Sequence, residues 1–91
     1  MEAEGILQVR NKFGLHARAS TRLAQVAQKF RSNIRISRSD DDQEVDGKSI
    51  LGILTLGAER GIEIRLRISG DDAEDAYKAI EELFRKNFDE E

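Results

Sequence analysis

The chain has 91 residues, with 15 Lys or Arg against 18 Asp or Glu and a formal net charge of −3. We expect one domain over 1–91, with frayed tails at about 1–4 and 89–91. No basic cluster indicates nucleic-acid binding, and no apolar run approaches the roughly 18 residues of a membrane span. We expect no signal segment. With no Cys and a single His, a metal site is disfavoured. These features predict a cytoplasmic protein that needs no metal or cofactor.

The first half of the chain alternates between the period of a strand and that of a helix. "GILQVRN" sets Leu7 and Val9 on one face with the period of two that is typical of a half-buried strand. "RSNIRIS" predicts a second strand through Ile34 and Ile36, "RSDDDQE" a turn and "EVDG" a short third strand. Between the first two strands, over 17–30, one helical stripe is made of Ala19, Leu23, Val26, Ala27 and Phe30.

The second half predicts a short helix, a strand and a longer helix. Ser49 precedes a dense apolar run in "KSILGILTLGAERG", which predicts a helix of one or two turns that the serine hydroxyl caps. "GIEIRLRIS" alternates without interruption and is the clearest strand. "GDDAEDAYKAIEELFRKNF" predicts a final helix that Asp71 or Asp72 caps. Its buried stripe is made of Ala73, Ala76, Ile80, Leu83 and Phe84.

The resulting element order, β-α-β-β-α-β-α, predicts an α+β fold. Strands with one polar face fit an antiparallel sheet, and helices with one apolar stripe fit a single layer against it. We therefore predict an open-faced sandwich, in which three helices cover one face of a four-stranded antiparallel sheet. A closing "DEE" is expected to belong to the frayed tail.

The stretch "NKFGLHARAS" places His16, the only histidine, where a loop enters the first helix. The backbone amides of Ala17 and Arg18 would open that helix and form a site for an anion. A neutral imidazole is a nucleophile near neutral pH, and the Arg18 guanidinium offers several donors to phosphate oxygens. No nearby acid is evident that would orient the imidazole. His16 therefore either merely ends the loop or takes up a phosphoryl group and passes it on.

Two motifs decide between these alternatives. "GLHARAS" resembles the active-site motif of the HPr family, the histidine-containing phosphocarriers of the bacterial phosphoenolpyruvate-dependent phosphotransferase system. "GKSILGILTLGAERG" resembles the regulatory-serine segment of the same family, and the resemblance covers almost the whole chain. It implies the HPr fold and a transient phosphohistidine at Nδ1 of His16, in a carrier rather than a stand-alone enzyme. It also implies that Arg18 steadies the phosphate and that Ser49 is the regulatory serine.

The same resemblance implies the partners of the chain. Enzyme I would donate the phosphoryl group, Enzyme IIA-type domains would accept it, and an HPr kinase/phosphorylase would act on Ser49 where such a kinase exists. Ile50, Leu51 and Leu54 match apolar residues that dock onto partners, although such residues are also typical of a plain core. Ser49 has a sufficient structural role as a helix cap, so its regulatory use stays open. We expect a monomer.

Three departures from the family pattern leave the choice of partners open. Ala19 replaces a proline, Phe13 stands before Gly14 where many members have a small polar residue, and the "SDDDQE" turn is about two residues longer than usual. "NKFG" resembles the "NKLG" of Gram-negative and nitrogen-branch members, and "LFRKNFDEE" resembles the end of the nitrogen-branch paralogue. A regulatory module of the nitrogen-branch type is therefore an alternative to a sugar-branch carrier. A sheet domain that binds RNA or a metabolite is disfavoured, because no aromatic sheet face is predicted.

Overall fold

Within residues 1–90, which the computed structural model describes, four strands and three helices follow one another in the predicted order. A short 3-10 turn, which we term the C-terminal turn, follows the last helix. The elements are β1 (Glu2–Gln8), α1 (Ala17–Ala27), β2 (Asn33–Arg38), β3 (Val45–Asp46), α2 (Ile50–Thr55), β4 (Glu63–Ser69), α3 (Ala73–Arg85) and the C-terminal turn (Asn87–Asp89).

The four strands form one antiparallel sheet in the order β1-β4-β2-β3. Strand β4, whose alternation is the most regular in the sequence, lies between β1 and β2. Its register sets Ile64 opposite Leu7 of β1 and Ile68 opposite Ile34 of β2. Because alternate side chains point to the same face of a strand, these pairs place one continuous apolar face under the helices. The predicted sheet is confirmed.

The three helices bury their apolar stripes against that face of the sheet. All five residues of the predicted stripe of α3 are buried. Helix α1 buries Ala19, Leu23 and Ala27, so the alanine that stands where the resembled motif has a proline packs in the core. The predicted open-faced α+β sandwich is therefore confirmed. No helix within the described residues is long and apolar enough to cross a membrane.

The two ends of the chain differ from the frayed tails that the sequence predicts. Glu2–Glu4 belong to β1, where Glu2 pairs with Ser69 and Glu4 with Arg67 of β4. At the other end, Phe88 is 1% exposed, and its ring meets that of Phe84 edge-on with centroids 4.8 Å apart. Burial of this aromatic side chain holds the C-terminal turn against the core. Glu91, the last residue of the predicted tail, lies outside the described residues.

The start of α3 also differs in detail from the prediction. Asp72 occupies the N-cap position, but its side chain makes no capping hydrogen bond to its own helix. Instead its carboxylate accepts hydrogen bonds from the backbone amides of Arg31 and Ser32 and from the Ser32 hydroxyl. Asp72 therefore fastens the loop between α1 and β2 to the start of α3.

Candidate functional site

A tight turn before α1 sets the position of the histidine. Gly14 adopts a left-handed conformation with φ +67°, and a Cβ atom there would lie 2.5 Å from the carbonyl oxygen of Ala58. Only glycine fits that backbone without strain. The next amide, of Leu15, donates to the same Ala58 carbonyl at 2.9 Å. The turn is thus held against the loop that follows α2, and His16 comes immediately after it.

His16 is the N-cap residue of α1 and is half-buried, with 31% of its side chain exposed. Its Nδ1 atom accepts a hydrogen bond from the backbone amide of Arg18 at 3.3 Å. Its own carbonyl accepts from the Ser20 amide at 2.8 Å, which closes the first turn of the helix. Nδ1 therefore faces the positive end of the helix dipole, where the amides of Ala17 and Arg18 lie.

The other ring nitrogen of His16 contacts a carboxylate from the far end of the chain. Nε2 lies 2.7 Å from Oε2 of Glu90, and Oε1 of Glu90 accepts from Nδ2 of Asn11 at 2.9 Å. Because Nδ1 faces a donor and Nε2 faces an acceptor, the neutral ring carries its proton on Nε2. Partial burial raises the pKa of the Glu90 carboxyl, but the hydrogen bonds from Asn11 and His16 outweigh it. The pKa of Glu90 therefore lies below its ordinary value.

The rest of the site is a shallow pocket of mixed charge around the imidazole. The Phe13 ring meets the His16 ring edge-on with centroids 5.9 Å apart, and the Lys12 ammonium lies 5.4 Å from the Phe13 centroid. The Arg18 side chain is exposed at the mouth. The residues that line the pocket are Lys12, Phe13, His16, Arg18, Asp89 and Glu90.

Glu90 and Asn11 are the site residues that the sequence interpretation missed. The expectation that no nearby acid orients the imidazole is wrong, because Glu90 reaches it from 74 positions away in the chain. One signal was present in the sequence. Phe88 follows the end of the last helix, and an apolar side chain at that point favours a chain that turns back onto the core.

Ser49 and the apolar residues after it form a second helix N-terminus. The Ser49 hydroxyl accepts from the Gly52 amide at 3.0 Å, so it caps α2 as the sequence predicts. Of the apolar run, Ile53 is buried, whereas Leu51 is 75% exposed and Ile50 and Leu54 are each 37% exposed. The three candidate docking residues therefore lie at the surface and are not plain core.

The site brings together an imidazole whose Nδ1 lone pair accepts only a long hydrogen bond, a helix N-terminus and an arginine side chain. Such a constellation is suited to nucleophilic attack on phosphorus and to holding the oxygens of the attached phosphoryl group. Ser20, the nearest hydroxyl in the first turn, donates to the Leu15 carbonyl at 2.9 Å and is buried. Among the described residues, no group of three or more His, Cys, Asp or Glu could hold a metal ion.

Comparisons with known proteins identify the family and the fold of the chain. The family model for the phosphorylation site of the HPr component of the phosphotransferase system matches residues 3–86. The phosphocarrier protein HPr of Xylella fastidiosa strain Temecula1 is 46% identical over 85 residues, which cover 93% of each chain. The crystal structure of HPr-C-His from Thermoanaerobacter tengcongensis has a TM-score of 0.91 and 39% identity, with 98% of each chain covered. A structure described as an HPr dimer from the same organism has a TM-score of 0.75 and 40% identity, covering 90% and 92%.

Proposed function

The chain belongs to the HPr family of phosphocarrier proteins, and on that premise we propose that it carries a phosphoryl group on Nδ1 of His16. Phosphorylated Enzyme I is the donor and Enzyme IIA-type domains are the acceptors. The observation that carries this proposal is the orientation of the imidazole. Its Nδ1 lone pair faces the helix N-terminus, while its proton is held on the opposite nitrogen.

The helix N-terminus and Arg18 supply the anion site that the phosphoryl group needs. The hydrogen bond from the Arg18 amide to Nδ1 is long, at 3.3 Å, so its replacement by a stronger bond to a phosphate oxygen is favourable. The exposed guanidinium of Arg18 reaches the same oxygens without losing a buried partner. The group is held firmly enough to be carried, yet it stays open to the acceptor protein.

We assign partner docking to an apolar patch beside α1. This docking patch is made of Ile50, Leu51 and Leu54. Helix α2, which bears the patch, packs against α1, which bears the histidine. Exposed apolar side chains next to a charged site suit a small protein that must engage several partners in turn. The proposal includes a cytoplasmic location, where phosphoenolpyruvate is produced, and a monomeric carrier. A dimer is the alternative, and light scattering in solution distinguishes the two.

Regulation through Ser49 is a second candidate function, and the position of this residue at the start of the docking patch favours it. Phosphorylation would bring about two negative charges to a helix N-terminus that tolerates them. The same charges would repel an acidic partner surface. Ser49→Asp keeps the cap and adds charge, whereas Ser49→Ala removes the cap and adds none. If docking is regulated here, only Ser49→Asp weakens transfer to an Enzyme IIA domain.

The carrier function is tested by incubation with phosphoenolpyruvate and Enzyme I, followed by intact mass measurement. We expect the wild-type chain to gain one acid-labile phosphoryl group and His16→Ala to gain none. Arg22→Ala, which changes a neighbouring exposed residue of α1, is the matched control and retains the gain. An acid-labile phosphoryl group on His16→Ala would refute the assignment of the site. Transfer to sugar-branch and to nitrogen-branch Enzyme IIA domains then separates the two branches.

A further inference from the structure

Glu90 bridges a buried amide and the ring of His16. Its two carboxylate oxygens are shared between the partners, with Oε1 bonded to Asn11 Nδ2 at 2.9 Å and Oε2 to His16 Nε2 at 2.7 Å. Asn11 is itself fixed, because it is 1% exposed and also donates to the Gly14 carbonyl at 2.7 Å. The carboxylate is therefore aimed at the ring by the same turn that precedes α1.

The C-terminal turn is built in a way that delivers Glu90 to this place. Asn87, Phe88 and Asp89 all have positive φ, of 54°, 58° and 62°. Asn and Asp adopt this left-handed region more readily than other residues with a side chain, so the strain falls on Phe88. Burial of Phe88 holds the turn in that conformation, whereas the ion pair of Asp89 with Arg22 joins two half-exposed side chains and contributes little. A strained, buried Phe two residues before a carboxylate that contacts the candidate nucleophile points to a role at the site.

We propose that Glu90 is a positioning residue that acts through His16, an inference that rests on the proposed function. In the free protein its carboxylate accepts a hydrogen bond from Nε2–H, which keeps the proton on Nε2 and leaves the lone pair on Nδ1. When that lone pair forms the bond to phosphorus, the bond from phosphorus to the donor breaks and its electron pair leaves with the donor. The ring then carries both the Nε2 proton and the phosphoryl group, and Glu90 stabilises the resulting positive charge.

The same contact controls how easily the phosphoryl group leaves. On transfer, the acceptor attacks phosphorus, and the electron pair of the phosphorus–Nδ1 bond returns to the ring. If Nε2 is protonated, the leaving group is a neutral imidazole, whereas without that proton it is an imidazolate anion, which leaves far more slowly. Glu90 favours the protonated ring and therefore the reactive form of the carrier at neutral pH and above.

Four charged groups around the ring contribute to this balance. Lys12 and Arg18 disfavour a protonated ring, while Glu90 and Asp89 favour it. Within residues 1–90, only Glu90 has a hydrogen bond to Nε2, and Asp89 is paired with Arg22. The effect is therefore assigned to Glu90, and Glu81→Gln, which removes the same charge from an exposed position of α3 outside the pocket, is the matched control.

The first test needs no phosphorylation. In isotope-labelled protein, NMR detects the Nε2-bound proton of His16 and its exchange with water. We expect the exchange to be about fivefold faster in Glu90→Ala than in wild type, the fold-change of a partly exposed ion pair. Glu81→Gln should match wild type. Glu90→Gln keeps an acceptor oxygen and should retain much of the protection. Equal exchange in Glu90→Ala and wild type would overturn the proposal.

The second test measures the lability of the phosphoryl group on Nδ1 as a function of pH. The group is added with phosphoramidate, a small donor that needs no Enzyme I, so failure of the proposed partners leaves this test intact. We expect wild type and Glu81→Gln to lose phosphate about threefold faster than Glu90→Ala and Glu90→Gln above neutral pH. The profiles should converge at acid pH, where every ring is protonated. Coincident profiles for all four proteins would show that Glu90 only anchors the chain end.

Discussion

The N-termini of α1 and α2 are built alike but capped by different side chains. Ser49 caps α2 through a hydroxyl that accepts from Gly52 at 3.0 Å, a geometry that fully explains the serine. His16 caps α1 through Nδ1 at 3.3 Å, which is a weaker contact, and its other nitrogen is held by Glu90. Serine is a preferred cap and histidine is not. The cap therefore suffices to explain Ser49, whereas the proposed phosphoryl transfer would explain why a histidine stands at the start of α1.

The largest effect that probes this difference is expected at Arg18. Arg18→Ala should lower the rate of phosphoryl transfer about tenfold, because one charge-assisted set of hydrogen bonds to the phosphate is lost. Stability should change little, since the side chain is exposed. Steady-state transfer from Enzyme I measures the first effect and thermal unfolding the second. Arg22→Ala is the control on the same helix, and an equal loss there would point to general charge rather than to a phosphate contact.

A smaller effect is expected in the docking patch at the start of α2. Leu51→Asp should raise the KM for the partner about fivefold without lowering stability, because an exposed apolar anchor becomes charged. Ile6→Asp is the matched control, since Ile6 is a half-exposed apolar residue on β1, outside the docking patch. Measured transfer to an Enzyme IIA domain tests the pair. Equal effects of both substitutions would remove the special role of α2.

A still smaller effect, on stability alone, distinguishes the Ser49 cap of α2 from the His16 cap of α1. Ser49→Ala should lower the free energy of unfolding by about 1 kcal/mol, the worth of a lost N-cap. It should leave the phosphorylation of His16 by Enzyme I unchanged. Urea unfolding and the phosphorylation assay measure the two quantities. Loss of phosphorylation in Ser49→Ala would break the division between a structural cap and a chemical one.

The smallest effect is expected at Asp72, at the N-terminus of α3, where the contribution to stability depends on pH. Hydrogen bonds from the Ser32 hydroxyl and the Arg31 amide hold the pKa of Asp72 below its ordinary value. The folded chain therefore binds this proton less readily than the unfolded chain, and the stabilisation is present above the ordinary Asp pKa. It is lost as pH falls through the lowered pKa. Asp72→Asn should be less stable than wild type at neutral pH, with a shallower loss of stability in acid.

Urea unfolding at a series of pH values checks the Asp72 prediction. Asp71→Asn is the control, because it removes the same charge from an exposed neighbour. If Asp72→Asn and Asp71→Asn follow the same curve, the hydrogen bonds of Asp72 do not link the loop to α3.

The fold could be predicted because the sequence patterns that specify its strands and helices span only a few neighbouring residues. Period-two alternation identifies β4 and β2, and the apolar stripe of α3 is buried residue for residue as predicted. The predicted place of His16 at the start of α1 is also a local matter, since it depends on the turn at Gly14. Periodicity and turn signals act over a few residues, so neighbouring sequence suffices for them.

The contact between Glu90 and His16 could not be predicted in the same way. It joins residues 74 positions apart and depends on three left-handed residues that are not glycine. Asn87 and Asp89 tolerate that conformation, but Phe88 adopts it because its ring is buried in the core. Likewise, the carboxylate of Asp72 turns away from its own helix because the amides of another loop lie within reach. Both features come from tertiary packing.

The most direct test of the central claim is to locate the phosphoryl group on the ring. The isotope-labelled chain is phosphorylated with phosphoenolpyruvate and Enzyme I, and NMR detects the coupling between phosphorus and each ring nitrogen of His16. We expect phosphorus to be bonded to Nδ1, with Nε2 still carrying its proton. Phosphorus bonded to Nε2, or to the Ser49 oxygen in place of His16, would contradict it.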